Sequence, residues 1–336
     1  MSAADPVILG KALDWLNDGR NIALATVIQT WGSAPQPVGS LLLIDEDGNF
    51  LGSVSGGCVE AEVIEQAKDV IATAAPKTLE FGVEDETAWK VGLACGGTIR
   101  VFVEKLDPDP AKPVLHQLIE DTGARRKVAL VTELSSGARR LAHKPGDLAP
   151  DLAQALDDAF RRDKSTAAGA NSETFINVLN PTTRLIIVGA VHVAQPLVQM
   201  ARALGYETIV VDPRSAFATK ERFGDAKIFG EWPDEALSKI GVDERTALIA
   251  LTHDPRIDDP ALIYALASEA FYVGALGSKI THTKRVERLL KAGVKSKAID
   301  RIHAPIGLDI GAQGAAEIAV SIIAEITAVQ RGKGRK

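Results

Sequence analysis

From Arg184 onward the chain alternates short, almost uninterrupted apolar runs with helix-length segments: RLIIVG, TIVVD, AKIFG, TALIALT and FYVGAL. Continuous β-branched runs suit strands covered on both faces, and the helical segments between them supply the cover. This pattern is the strongest constraint in the sequence, because it demands a doubly wound parallel sheet. Right-handed crossovers then predict the strand order 3-2-1-4-5 over 184 to about 310. Ligands of such sheets bind beyond the carboxyl ends of the strands.

The first strand-to-helix turn, VGAVHVAQPL, places Gly189, Val191 and Ala194 where a dinucleotide fingerprint has glycine, glycine and glycine or alanine. The missing second glycine normally lets the backbone approach a pyrophosphate, so Val191 argues against ordinary NAD(P) binding. Asp212 ends the next strand, 23 residues after Gly189, where a ribose-binding carboxylate would sit. A doubly wound domain that no longer binds a dinucleotide accounts for the turn equally well. His192, Arg214, His253 and Asp254 fall in the loops at the same sheet end, and Ser278, Lys279, His282 and Lys284 follow VGALG at the start of another helix. Gly189, Asp212 and His253 are expected at one edge, with Lys279 suited to an anion at a helix start. Each histidine taken alone also fits a structural role. No close His/Cys pair has the spacing of a zinc site.

The N-terminal half reads as mixed helix and strand. VILGKALDWLNDG has helical spacing, NIALATVIQT, SLLLID and FLGSVS read as strands, and Asp47-Gly48 marks a hairpin. VEAEVIEQAKDVIATAA is helical, KTLEFG and GTIRVFVEKL are strands, and DKSTAAGANS, 163 to 172, reads as a flexible connection. The two cysteines both stand beside glycine pairs, in Ser55-Gly56-Gly57-Cys58 and Cys95-Gly96-Gly97. Cys58 precedes a helix, where the dipole favours a thiolate, and glycines leave backbone N–H groups open to an anion. Free cysteines are also commonly buried packing residues, and both readings stand.

The 336 residues suggest two domains. With 38 basic and 44 acidic residues the net charge is −6, which speaks against general nucleic-acid binding. No apolar stretch reaches the ~18 residues of a membrane span, and the N-terminus lacks a signal-peptide layout. A cytoplasmic protein with thiols rather than a disulfide framework is expected.

TVIQTWGSAPQPVGSLLLID, SVSGGCVEAEV and ACGGTIRVFVE resemble the N-terminal region of the xanthine dehydrogenase accessory protein family (XdhC/CoxI). RLIIVGAVHVAQPL, VVDPR, ALTHDPRID, YVGALGSK and PIGLDIGAQGAAEIAVSIIAEI are similar to its Rossmann-type C-terminal domain. The resemblance is weakest over 105–180. It implies an N-terminal α+β XdhC/CoxI-type domain over 1–180 and a Rossmann-like domain over 181–336. It further implies a cofactor-insertion chaperone rather than a catalyst, which binds molybdenum cofactor, supports its sulfuration with a cysteine desulfurase and delivers it to a molybdenum hydroxylase apoenzyme, usually as a homodimer. The family's SGGC and CGG motifs fall on Ser55 to Cys58 and Cys95 to Gly97, making Cys58 and Cys95 candidate molybdenum ligands, sulfur relays or packing residues. Its GAGHVA turn falls on Gly189 to Ala194, from which Val191 departs. Two competing readings are an NAD(P)-dependent oxidoreductase, opposed by Val191, and a two-cysteine redox protein, opposed by the absence of a Cys-x-x-Cys motif.

Overall fold

The structure, a computed structural model, describes residues 6–32, 34–57, 59–82 and 97–333. The chain forms two compact units, Met1–Pro181 and Thr182–Lys336.

The first unit holds two antiparallel sheets. One has the order β3-β2-β1-β5-β4, built from β1 (Ile22–Trp31), β2 (Leu41–Asp45), β3 (Phe50–Gly52), β4 (Lys77–Phe81) and β5 (Thr98–Lys105). Side chains alternate across the central strand as the pleat requires. Ile22 and Leu24 meet α1 (Pro6–Asn17) and α3 (Pro108–Gly123), whereas Ala23, Ala25 and Val27 meet α2 (Glu60–Thr73). The run IALATV is therefore apolar throughout because both faces are covered. The second sheet, β7-β6-β9-β8, comprises β6 (Val128–Glu133), β7 (Arg139–Ala142), β8 (Thr166–Ala168) and β9 (Thr174–Leu179), with α4 (Pro150–Arg162) over one face.

The segment 163–172, expected as a flexible connection, contains β8, which pairs antiparallel with β9. Its three small residues are too few to alternate visibly. Ser165, 3% exposed, anchors the approach by donating to Asn177 Oδ1 at 2.7 Å and accepting from Val178 N at 3.1 Å.

The second unit is a six-stranded parallel sheet of order β12-β11-β10-β13-β14-β15. Its strands are β10 (Arg184–Val188), β11 (Glu207–Val211), β12 (Lys227–Phe229), β13 (Thr246–Ala250), β14 (Tyr272–Ala275) and β15 (Ile302–His303). The expected order is present, extended by a two-residue sixth strand that carries no periodicity of its own. Leu185 and Ile187 face α5 (Ala194–Ala203) and α11 (Ala315–Gln330). Ile186 and Val188 face α7 (Pro233–Ile240), α8 (Pro255–Ala267) and Leu289 of α9 (Lys279–Lys291). A short α6 (Lys220–Phe223) precedes β12, and α10 (Ser296–Ile299) precedes β15. No described helix is long and apolar enough to cross a membrane.

Candidate functional site

Two regions carry the residues that the sequence singles out, one in each unit. In the first unit, strand register decides what is near what. Trp31 at the end of β1 pairs with Thr98 at the start of β5, Leu41 at the start of β2 pairs with Thr26, and Gly52 at the end of β3 pairs with Leu42. The loop after β3, carrying Ser55, Gly56 and Gly57, and Gly97 before β5 therefore emerge at the same end of the sheet. A Cβ on Gly56 would lie 3.4 Å from Cβ of Pro35, which belongs to a third connection at that end. Cys58, Cys95 and Gly96 lie outside the described residues.

The loop is organised by a residue that motif reading passed over. Glu60, the first residue of α2 and 8% exposed, receives the backbone N–H groups of Val54 (3.1 Å), Ser55 (2.9 Å) and Gly57 (2.9 Å). The hydroxyl of Ser53 donates to it at 2.6 Å, and that of Ser55 also donates to it. Two further loop amides are also engaged: Gly56 N donates to Ser53 Oγ at 2.8 Å and Val59 N to Ser55 Oγ at 2.9 Å. Burial alone would raise the carboxyl of Glu60, but these donors outweigh it and hold the group at about 2. For Gly56 and Gly57 the expectation of free N–H groups for an anion is corrected: Gly57 N donates to Glu60 and Gly56 N to Ser53 Oγ. Gly56 (φ 76°) and Gly57 (φ 110°) serve the backbone instead, which turns through the left-handed region to wrap Glu60. The available signal was an acidic residue three positions after Gly57, the spacing at which a first-turn glutamate reaches back to cap orphan amides.

In the second unit, Gly189, His192, Asp212 and His253 stand in loops at the carboxyl edge of the parallel sheet, and Lys279 opens α9 after β14 at the same edge. Gly189 adopts φ 110°, and a Cβ there would lie 2.5 Å from Cγ2 of Thr252, so strand ends β10 and β13 meet through this glycine. His253, next to Thr252, has φ 62°, a left-handed conformation that non-glycine residues adopt at a cost. It is held there by Asp258, which accepts from Thr252 N (3.2 Å), Thr252 Oγ1 (2.6 Å) and His253 N (2.9 Å). Burial nevertheless pushes the Asp258 carboxyl up. His253 Nδ1 is 3.6 Å from where a Cβ of Gly277 would lie. His192 and Lys279 are exposed.

Asp212 occupies the ribose-binding position of the sheet, yet it is fully buried. Its carboxylate accepts from Ala190 N (2.7 Å), Arg214 N (2.9 Å), Arg214 Nε (2.9 Å) and Arg214 Nη2 (2.7 Å). Burial opposes ionisation, but these donors hold the group below its ordinary range. A carboxylate has about four lone-pair sites, and four donors leave none for a ribose. Arg222 Nη1 binds Ala190 O at 2.8 Å, clamping the turn from its other side. Val191, half-buried, packs against the core on the α5 face. The turn thus keeps the shape of a dinucleotide fingerprint while the carboxylate at its ribose position is bound by the protein's own donors.

Sequence reasoning also missed Arg285, a buried cation of α9. Its Nη2 donates to Leu276 O at 2.8 Å, while Nε and Nη1 find no acceptor among the described residues. It interacts electrostatically with Asp258, and burial pushes its guanidinium down. No group of three or more His, Cys, Asp or Glu side chains suited to a metal occurs among the described residues.

A Rossmann-type sheet with an internally bound carboxylate at its ribose position, following an α+β unit with a carboxylate-wrapped glycine loop, defines the class. Residues 15–82 match the XdhC and CoxI family and residues 185–326 match the XdhC Rossmann domain, and the chain belongs to this family. Among its relatives, the molybdenum cofactor insertion chaperone PaoD of Escherichia coli (strain K12) is 30% identical over 96% of this chain and 88% of its own. A probable xanthine dehydrogenase subunit of Bacillus subtilis (strain 168) is 28% identical over 93% of this chain and 94% of its own. A crystal structure described as a xanthine dehydrogenase from Bacillus halodurans has a TM-score of 0.67 at 28% identity, covering 99% of this chain and 97% of that one.

Proposed function

We propose that this protein is an accessory protein of molybdenum hydroxylases that carries molybdenum cofactor as cargo and hands it to an apoenzyme. The observation that carries the reading is the convergence at one end of a single sheet of the Ser55-Gly57 loop, which leads into Cys58, and Gly97, two residues after Cys95. A carrier of a soft, dithiolene-held metal needs thiolate donors on loops that release their cargo, and Glu60 supplies the rigid base from which the first loop leaves the sheet. The name of the E. coli relative supports the cargo, and that of the B. subtilis relative supports the client class.

On this reading Cys58 and Cys95 ligate molybdenum or relay sulfur from a cysteine desulfurase, and the protein acts in the cytoplasm as a homodimer. The Rossmann-type edge, with Gly189, His192, His253 and Lys279, holds part of the cargo or docks the client, and Asp212 shapes that edge from within. The internally bound Asp212 carboxylate favours this over hydride transfer. Purification from a host that makes molybdenum cofactor, followed by metal and pterin analysis, tests the proposal. Near-stoichiometric molybdenum is expected in the unmodified protein and its loss in Cys58→Ser and Cys95→Ser variants that remain folded. Full loading of both variants removes the thiol-ligand role, and a preparation free of molybdenum and pterin removes the carrier reading.

A further inference from the structure

A cleft of ≈ 250 Å³ in the first unit is lined by none of the candidate site residues. Ala74 and Pro76 line it from the connection between α2 and β4, Pro110 from the first turn of α3, and Ala138 from the end of the β6–β7 turn. Glu104 of β5 and Arg139 of β7 also line it, with side chains only 4% and 8% exposed. Gly137, φ 71°, lets the turn close over the pair, since a Cβ there would sit 2.9 Å from Glu104 Oε2.

The ion pair is incomplete. Arg139 Nη2 donates to Glu104 Oε2 at 2.6 Å and reaches Gly137 O at 3.4 Å, while the neighbouring Nε, though buried, has no acceptor among the described residues. Three arginines of the second unit behave differently: Arg214, Arg256 and Arg288 each grip a carboxylate with Nε and Nη2 together. The second carboxylate oxygen, Glu104 Oε1, therefore receives no bond from Arg139, while Arg139 Nε is buried away from solvent. Leaving buried polar groups unpaired is costly, so an arrangement of this kind suits a ligand that completes it.

We infer that this cleft binds a flat nitrogen heterocycle through a cyclic-amide edge, whose N–H groups donate to Glu104. Pterins and guanines both present that edge, and the cleft offers prolines and alanines to a ring face with Lys105, Asp107 and Ser136 also in its lining. Burial raises the Glu104 carboxyl to about 7 against the pull of Arg139, a position that further N–H donors would lower. Should the carrier proposal hold, the natural occupant is the pterin of the cargo. The cleft's chemistry does not depend on that proposal.

Calorimetric titration of the full chain with pterin, guanosine monophosphate and adenosine monophosphate is the test. Pterin, guanosine monophosphate or both should bind, and adenosine monophosphate, which lacks the cyclic-amide edge, at least tenfold more weakly. Glu104→Gln should weaken binding by tenfold or more. Ala138→Trp, which fills the cleft without touching the ion pair, should abolish it with the circular-dichroism spectrum and melting temperature kept. Binding of pterin alone or guanine alone supports the inference and identifies the source. Absence of binding to the unmodified protein, or unchanged affinity in a folded Ala138→Trp variant, overturns it. A protein that purifies with molybdenum but fails these titrations leaves the carrier proposal standing, and one that binds pterin here but never carries molybdenum leaves only the cleft.

Discussion

Glu60 gathers three backbone amides and two hydroxyls on one buried carboxylate. A glutamine at this position offers one acceptor oxygen and turns two donors towards donors, so Glu60→Gln should destabilise the first unit by about 1–3 kcal/mol. The pH dependence has a definite sign. The folded carboxyl is held at about 2 against an ordinary 4.5, so its ionisation stabilises the fold fully above pH 4.5. That contribution is lost as the pH falls from 4.5 through 2. Urea unfolding at pH 7 and pH 3 should show the gap between parent and variant shrinking in acid. Equal stabilities at pH 7 would contradict the role given to Glu60. At Val191 the side chain packs against the core, and Asp212 is saturated by Arg214 and Ala190. Val191→Gly should therefore cost about 1 kcal/mol of stability without creating an NAD site. A micromolar Kd for NAD in calorimetry of either protein would overturn this view of the turn.

At the scale of elements, the contact of β10 with β13 rests on Gly189. Alanine there meets both a left-handed φ and a methyl group 2.5 Å away, so Gly189→Ala should destabilise the second unit by about 2–4 kcal/mol. Thr252→Ser removes that methyl and keeps the hydroxyl that donates to Asp258 at 2.6 Å. The double variant should recover the steric part and retain the backbone part, and thermal melts of the four proteins separate the two. No recovery at all would mean that φ alone dictates glycine. A second element, α8, begins at Asp254, whose side chain accepts from Arg256 N at 2.9 Å. Asp254→Ala should cost about 1 kcal/mol as a lost cap, with His253 one residue upstream still held by Asp258.

At the scale of the whole molecule, each unit has apolar clusters of its own, and the six clusters divide cleanly between them. Residues 182–336 expressed alone should therefore fold with a cooperative thermal transition and the circular dichroism of a parallel α/β sheet. A fragment without such a transition would show that its core needs the rest of the chain. The parallel sheet is legible in the sequence because five consecutive runs carry their own periodicity, and because crossover handedness leaves few orders for them. Elements without that signal, β8 and β15, are not. Three residues of TAA or two of IH show no alternation, and only pairing with a neighbour makes them strands.

What the sequence by itself determined is the class of each half, the order of the parallel strands and the positions of the glycine-flanked cysteines and sheet-edge loops. These follow from periodicity, turn chemistry and spacing, which are local. The tertiary structure alone decided where the polar atoms go. Spacing put Asp212 at the ribose position, but the fold of the turn gave its lone pairs to Arg214 and Ala190. Gly56 and Gly57 suggested open amides after β3, but Ser53 Oγ and Glu60 close them. Glu104 and Arg139 are 35 residues apart on different sheets, and nothing in either segment announces the other. A hydrogen bond needs its partner within about 3 Å in the right direction, and that condition is met by register and packing, which a linear pattern of residue types does not encode.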